Sequence, residues 1–154
     1  MKLIPAVLAL IALPALALSP AEEKQYLSGE GMGYAKAAEL NQYPGPMHAL
    51  ELADRLKLTG EQRKSLKDLM DAHKAEARGI GARLVAAERE LDLLFRSKAV
   101  DAERLSAKVR AAGLLQADYR LAHLETHRRA RAFLTQEQVG AYDALRGNVV
   151  KHGH

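Results

Sequence analysis

Cysteine and tryptophan are absent from this chain, and phenylalanine occurs only twice. Without thiols no disulfide can staple the fold, and any metal must be held by nitrogen, oxygen or thioether donors. With aromatics at 5%, the core has to be built from Leu, Ala, Val and Met, and stability has to come from packing. Long apolar runs are scarce as well. The only one spans Leu3 to Leu13, shorter than the roughly 20 residues that cross a bilayer. Charge of one sign is not in excess either, with 23 Lys and Arg against 19 Asp and Glu. The charges are interleaved as on solvated helix faces, so nucleic acid is not an expected partner. Catalytic signatures are missing too: there is no nucleophile motif, no HExxH and no paired carboxylates, and Glu125 falls on a different side of its helix from the histidines flanking it. These absences point away from an enzyme.

Lys2, the apolar run to Leu13, Pro14 and Ala15-Leu16-Ala17 have the layout of a secretory signal, so export to the periplasm with cleavage after Ala17 is expected, leaving no transmembrane segment in the mature chain. Residues 18–45 read as an N-terminal helix and a Gly/Pro-rich linker. Ser19-Pro20-Ala21-Glu22-Glu23 is a helix start, whereas Ser28-Gly29-Glu30-Gly31-Met32-Gly33 breaks a helix and reads as a flexible connection. A helical turn or two is expected over Tyr34 to Leu40. Asn41 to Pro46 is a turn, with Pro46 placed to begin a helix that should cover Met47 to Leu56.

The remaining chain, 46–150, reads as one helical domain, followed by a disordered tail at 151–154 that contains His152 and His154. Its organising feature is a repeated pentad, Leu58-Thr59-Gly60-Glu61-Gln62 and Leu134-Thr135-Gln136-Glu137-Gln138. Thr followed three residues later by Gln is a capping box, so Thr59 with Gln62 and Thr135 with Gln138 are the expected structural caps. Leu134 can staple onto Val139 in the second copy. Arg63 occupies that position in the first, which leaves its staple absent.

Between the boxes, apolar positions recur in alternating steps of four and three: Leu66, Met70, His73, Ala77, Ile80, Leu84, Ala87, Leu91 and Leu94. This is a coiled-coil seam and predicts one helix of about 35 residues, with Gly79 and Gly81 as a soft spot. A turn with Asp101 as the next cap leads to a second seam running from Leu105 through Val109, Tyr119 and His123 to Phe133. The expected fold is all-α: a long antiparallel helical hairpin with short N-terminal helices and a C-terminal helix. Setting Leu94 against Leu105 brings His73 near Thr126 and His127 at the open end, with apolar seam at the turn end.

Two functional surfaces follow. His123 and His127, four apart on one helix, form a metal-ligand pair, with His73 and Met70 arriving from the facing helix and His48 able to close over them. Leu114, Ala117, Leu121 and Leu124 form a second apolar line away from the seam. Beside it, Arg120, Arg128 and Arg131 make the helix end basic, a surface suited to unfolded or acidic clients. Long hairpins bury little area per residue, so an intertwined homodimer is expected.

The signal sequence, the Cys-free helical body and the paired Leu-Thr-x-x-Gln boxes resemble the Spy/CpxP group of bacterial periplasmic stress proteins over roughly Pro46 to Gly147. The resemblance implies an antiparallel homodimer with a curved client-binding surface. Such a protein acts as an ATP-independent chaperone, or as an adaptor to a membrane-bound stress-signalling protein, and requires no cofactor. The sequence is also similar to the heavy-metal resistance and nickel/cobalt-sensing branch of that group. There a His and a Met four residues later precede the final box as ligands. His123 and His127 stand at those positions, with His replacing Met. Of two further His ligands before the first box this chain offers His48, and the branch's carboxylate position falls near Met70 and Asp71. This branch implies a divalent transition metal: nickel, cobalt, copper or zinc.

Overall fold

A computed structural model describes residues 17–147 of the chain. The expected export signal, up to Leu16, and the tail with His152 and His154 lie outside the described residues. Six helices are present among those described: α1 (Pro20–Ser28), α2 (Lys36–Glu39), α3 (Pro46–Glu51), α4 (Gly60–Arg96), α5 (Ala102–Ala132) and α6 (Gln136–Arg146). The two long ones, α4 and α5, pack against each other along the hairpin.

Each long element starts where the chain supplies a cap. Ser19 accepts from the Glu22 amide while the Glu22 carboxylate accepts from the Ser19 amide at 2.9 Å, a reciprocal box that also places acid at the positive end of α1. Asp101 accepts from the Arg104 amide at 2.8 Å and starts α5. Gly29 ends α1 in the left-handed conformation at φ 75°, where glycine carries no Cβ penalty. The helix expected over Met47 to Leu56 is shorter than the pattern suggested. It stops at Glu51, and Leu52 to Lys57 form tight turns, with Lys57 at φ 50°. Ala53, Leu56 and Leu58 still enter the core from these turns.

The interior consists of two clusters strung along the hairpin. Around the boxes, Leu56, Leu58, Leu66, Leu69, Leu134 and Tyr142 pack together. Half-way along, Tyr26 of α1 joins Ala77, Leu84, Val85, Ala112 and Tyr119. Toward the turn the expected seam does not close. Leu91, Leu94 and Leu105 are only half-buried, and Val109 is 50% exposed, alongside outward-facing Leu93 and Phe95. Two helices alone cover only a narrow strip of each other, and the third layer stops short of this end. On the turn side it is tied to α4 by the ion pair from Glu23 of α1 to Arg89.

Gly79 and Gly81 are not equivalent. Nothing lies within 4 Å of a Cβ built at Gly79, whereas one at Gly81 would run into the backbone carbonyl of Tyr26. Gly81 is therefore the notch into which α1 docks.

Candidate functional site

Between the two core clusters lies a cavity of about 380 Å³. Met70 and His73 of α4 face it from one side and His123, Thr126 and His127 of α5 from the other. It is covered by the loop 29–33 after α1 and by residues 45–48, the cap and first turn of α3. The first loop, which reads in sequence as a flexible connection, packs on the hairpin. A Cβ at Gly31 would lie 3.6 Å from the His123 ring, and the Tyr119 hydroxyl donates to the Glu30 carbonyl at 2.7 Å. Tyr119 is itself wedged edge-on between Tyr26 and Tyr34, whose hydroxyls share a hydrogen bond of 3.0 Å. Burial raises the Tyr119 hydroxyl well above the ordinary phenol range and holds Tyr26 up at about 12, so these two stay neutral. The second cover approaches so closely at Gly45 that a Cβ there would stand 2.8 Å from the His127 ring, and any larger residue would have to displace that ring.

The histidines are held in a common way. His123 donates its Nδ1 proton to the Tyr119 carbonyl at 2.9 Å, and His127 donates its own to the Tyr43 carbonyl at 2.8 Å. Because a carbonyl can only accept, the neutral tautomer of each ring carries its free lone pair on Nε2. His48 Nδ1 lies 2.8 Å from the Glu51 carboxylate, a contact of the same kind. Fixing one ring nitrogen on an oxygen acceptor and leaving the other free is the arrangement that orients histidine for a metal. His123, only 5% exposed, makes no hydrogen bond through Nε2, and the buried Nδ1 of His73 is likewise without a partner. The His73 and His123 rings meet edge to face at 4.4 Å.

Burial pushes the His73 imidazole down to about 4, with His123 and His127 lowering it further. Burial also depresses His123, partly opposed by the Tyr119 carbonyl and by the backbone of Gly29. Both are therefore neutral near pH 7 and free to donate a lone pair. Among the described residues, however, no three His, Asp or Glu side chains are grouped so as to hold one ion. Glu30, Glu39, Lys36 and Lys74 also line the cavity and balance in charge.

All five residues put forward as metal ligands, His48, Met70, His73, His123 and His127, thus line one cavity. The register differs in detail. His73 meets His123, whereas pairing Leu94 with Leu105 set it opposite Thr126 and His127. A seam residue sits in a hole formed by four residues of the facing helix, so the pattern alone does not resolve one helical turn. Met32 and Met47 also line the cavity and were not legible as site residues, although they are the only other methionines after Met1.

On the outer face of α5, Leu114 and Leu121 are 65% and 63% exposed. Ala117 is also exposed, and Leu124 is half-buried. Arg120 projects freely enough to count as exposed. The other two arginines are engaged within the chain: Arg128 binds both oxygens of Glu125 at 2.6 and 2.7 Å, and Arg131 reaches the Leu134 carbonyl and the Gln136 side chain. Their first role is to tie down the end of α5.

Below the cavity the two pentads meet. Thr59 accepts from the Gln62 amide and Thr135 from the Gln138 amide, completing both capping boxes. The two glutamine side chains then bond to each other, Gln62 Nε2 to Gln138 Oε1 at 2.8 Å and Gln138 Nε2 to Gln62 Oε1 at 3.0 Å. Their remaining protons go to the Phe133 and Leu56 carbonyls. Leu134 and Val139 are packed in the same cluster, while Arg63, in place of a staple, donates to the Leu58 carbonyl at 3.2 Å. This is one paired motif with two-fold pseudosymmetry, and the model of the LTXXQ motif family matches residues 46–146, from the start of α3 to the end of α6.

The chain belongs to the LTXXQ motif family. The matched stretch excludes α1, α2 and the glycine loop, so the family region supplies the hairpin and both boxes while the preceding segment supplies one of the two covers over the cavity. Neither the curated proteins nor the solved structures contain a match to this chain. Among the described residues no helix is long and apolar enough to cross a membrane.

Proposed function

We propose that this LTXXQ protein is a non-enzymatic envelope-stress protein of the Spy/CpxP type. In this reading it works in the periplasm as a homodimer and binds unfolded clients without ATP. The observation that carries the reading is the exposed line on α5. Leu114 and Leu121, two turns apart, stand in water beside Arg120. Contiguous apolar surface of this kind marks an interaction site, and a line of small and medium aliphatic residues grips extended chains without demanding a sequence.

The test is a binding titration with a fluorescent, permanently unfolded polypeptide, comparing the wild type with Leu114→Ser plus Leu121→Ser. Burying a leucine contributes about 1.5–3 kcal/mol, so the double variant should bind at least about tenfold more weakly. Equal affinity would remove α5 from the binding surface.

A second reading, binding of a transition metal for sensing or resistance, is supported by the histidine pocket. Three rings there have Nδ1 on an oxygen acceptor and Nε2 left over. Calorimetric titration with nickel, copper and zinc should then show micromolar or tighter binding of at least one of these ions that is lost in His123→Ala plus His127→Ala. Weak binding of equal strength in both proteins would contradict this reading and point to the tail histidines.

A further inference from the structure

After Met1 the chain has only three sulfur atoms, in Met32, Met47 and Met70, and all three residues line the histidine cavity. They arrive from three separate places: the glycine loop, α3 and α4. Methionines used to fill a core are expected among buried aliphatic residues, but none of these three is a buried member of either cluster. Met47 is 47% exposed, Met70 is half-buried, and Met32 lies only at the edge of the middle cluster.

Met32 is also held in an unfavourable backbone. It sits at φ 47° between Gly31 and Gly33, in the left-handed region that an L side chain enters at some cost and that glycine enters freely. The chain has glycine on both sides and a long thioether at the strained position itself. Gln42, Lys57 and Lys98 share this backbone in surface turns, and of these four residues Met32 is the one that lines the cavity.

The donor set decides which ion fits. Hard and borderline ions need several nitrogen or carboxylate donors, and no three His, Asp or Glu among the described residues are grouped to provide them. Thioethers and imidazole suit a soft ion of low coordination number. We infer that the cavity is a copper(I) site, with ligands drawn from the thioethers of Met32, Met47 and Met70 and the free imidazole nitrogens of His73 and His123. This rests on the metal-binding reading above and narrows it to one ion and a mainly sulfur donor set. His123 Nε2 and His73 Nδ1, buried and without a hydrogen bond within the chain, are the nitrogens open to such an ion. His48 and His127 line the same cavity, each with Nδ1 on an oxygen acceptor as in His123.

The test is an oxygen-free titration of the full chain with copper(I) against a chromophoric chelator, with nickel(II) and zinc(II) run in parallel. Wild type is compared with Met32→Leu plus Met47→Leu plus Met70→Leu, changes that nearly conserve volume. One equivalent of copper(I) should bind, with sulfur scattering in its X-ray absorption spectrum. The triple variant should lose more than about 100-fold in affinity, since even partners outside the ligand shell are worth about 10–100-fold. Should its helical circular dichroism fall, Met47→Leu and Met70→Leu made singly serve in its place, each expected to weaken binding at least tenfold. Copper(I) affinity unchanged by the methionine variants, or absorption without sulfur scattering, would overturn the inference. Nickel or zinc bound through His123 and His127, with no tighter site for copper(I), overturns the copper assignment and leaves the metal reading standing. Metal that stays bound in both the histidine and methionine variants, or no binding at all, removes both.

Discussion

At the scale of single residues, the glycines and histidines give the sharpest expectations. Gly81 is where the Tyr26 backbone touches α4, so Gly81→Ala forces α1 off its seat and should cost about 1–3 kcal/mol. Gly79, with open space around it, should respond in the opposite direction: Gly79→Ala is expected to stabilise by about 0.4–1 kcal/mol. Urea denaturation of the two variants checks both signs in one experiment. His73 sets a pH dependence. Its folded-state value near 4 lies below the ordinary 6.5, so between those values the unfolded chain binds more protons than the native one. Stability is then full above pH 6.5 and is lost as pH falls through about 4. Given the partial exposure of the ring, the loss should be on the order of 1–2 kcal/mol. His73→Phe should flatten this acid limb of the stability curve, and an unchanged slope would show that His73 is not its source.

At the scale of elements, the two boxes act as one clasp. Each glutamine closes its own cap and also bonds to the other, so its removal leaves partner groups unpaired on a second helix start. Gln62→Ala and Gln138→Ala should each cost roughly 1–2 kcal/mol. In a double-mutant cycle they should couple by at least about 0.5 kcal/mol, because residues sharing a hydrogen-bond network are not additive. Strict additivity would mean that the caps act independently. Both boxes, the hairpin, its turn and the Asp101 cap are legible in sequence, because capping chemistry and a four-three apolar spacing are local signals. The link between Gln62 and Gln138 is not, since it joins residues 76 apart in sequence. The glycine loop misled for a similar reason: its alternating glycines read as freedom, whereas Gly29 packs tightly on Ala77 and Arg78 of α4 and Gly31 lies beside His123. The openness of the turn end was hidden too. A heptad pattern shows which face is apolar, not whether a third layer reaches it. For the cavity, the five ligand candidates could be named from spacing, while Met32 and Met47 required the folds of α1 and α3 onto the hairpin.

At the scale of the whole molecule, surface left uncovered is the feature that joins fold to function. Leu93, Phe95 and Val109 near the turn and Leu114 and Leu121 along α5 are apolar side chains that a single copy leaves in water. Sedimentation at micromolar concentration should give twice the chain mass, with part of this surface closed between copies; the monomer mass at every concentration would contradict the homodimer. The most direct test of client binding is light scattering from a denatured client that aggregates on dilution, with the protein added at equal amount and without ATP. Wild type should suppress the scattering, and Leu114→Ser plus Leu121→Ser should restore most of it. Aggregation that proceeds unchanged at any ratio of wild-type protein would contradict the account.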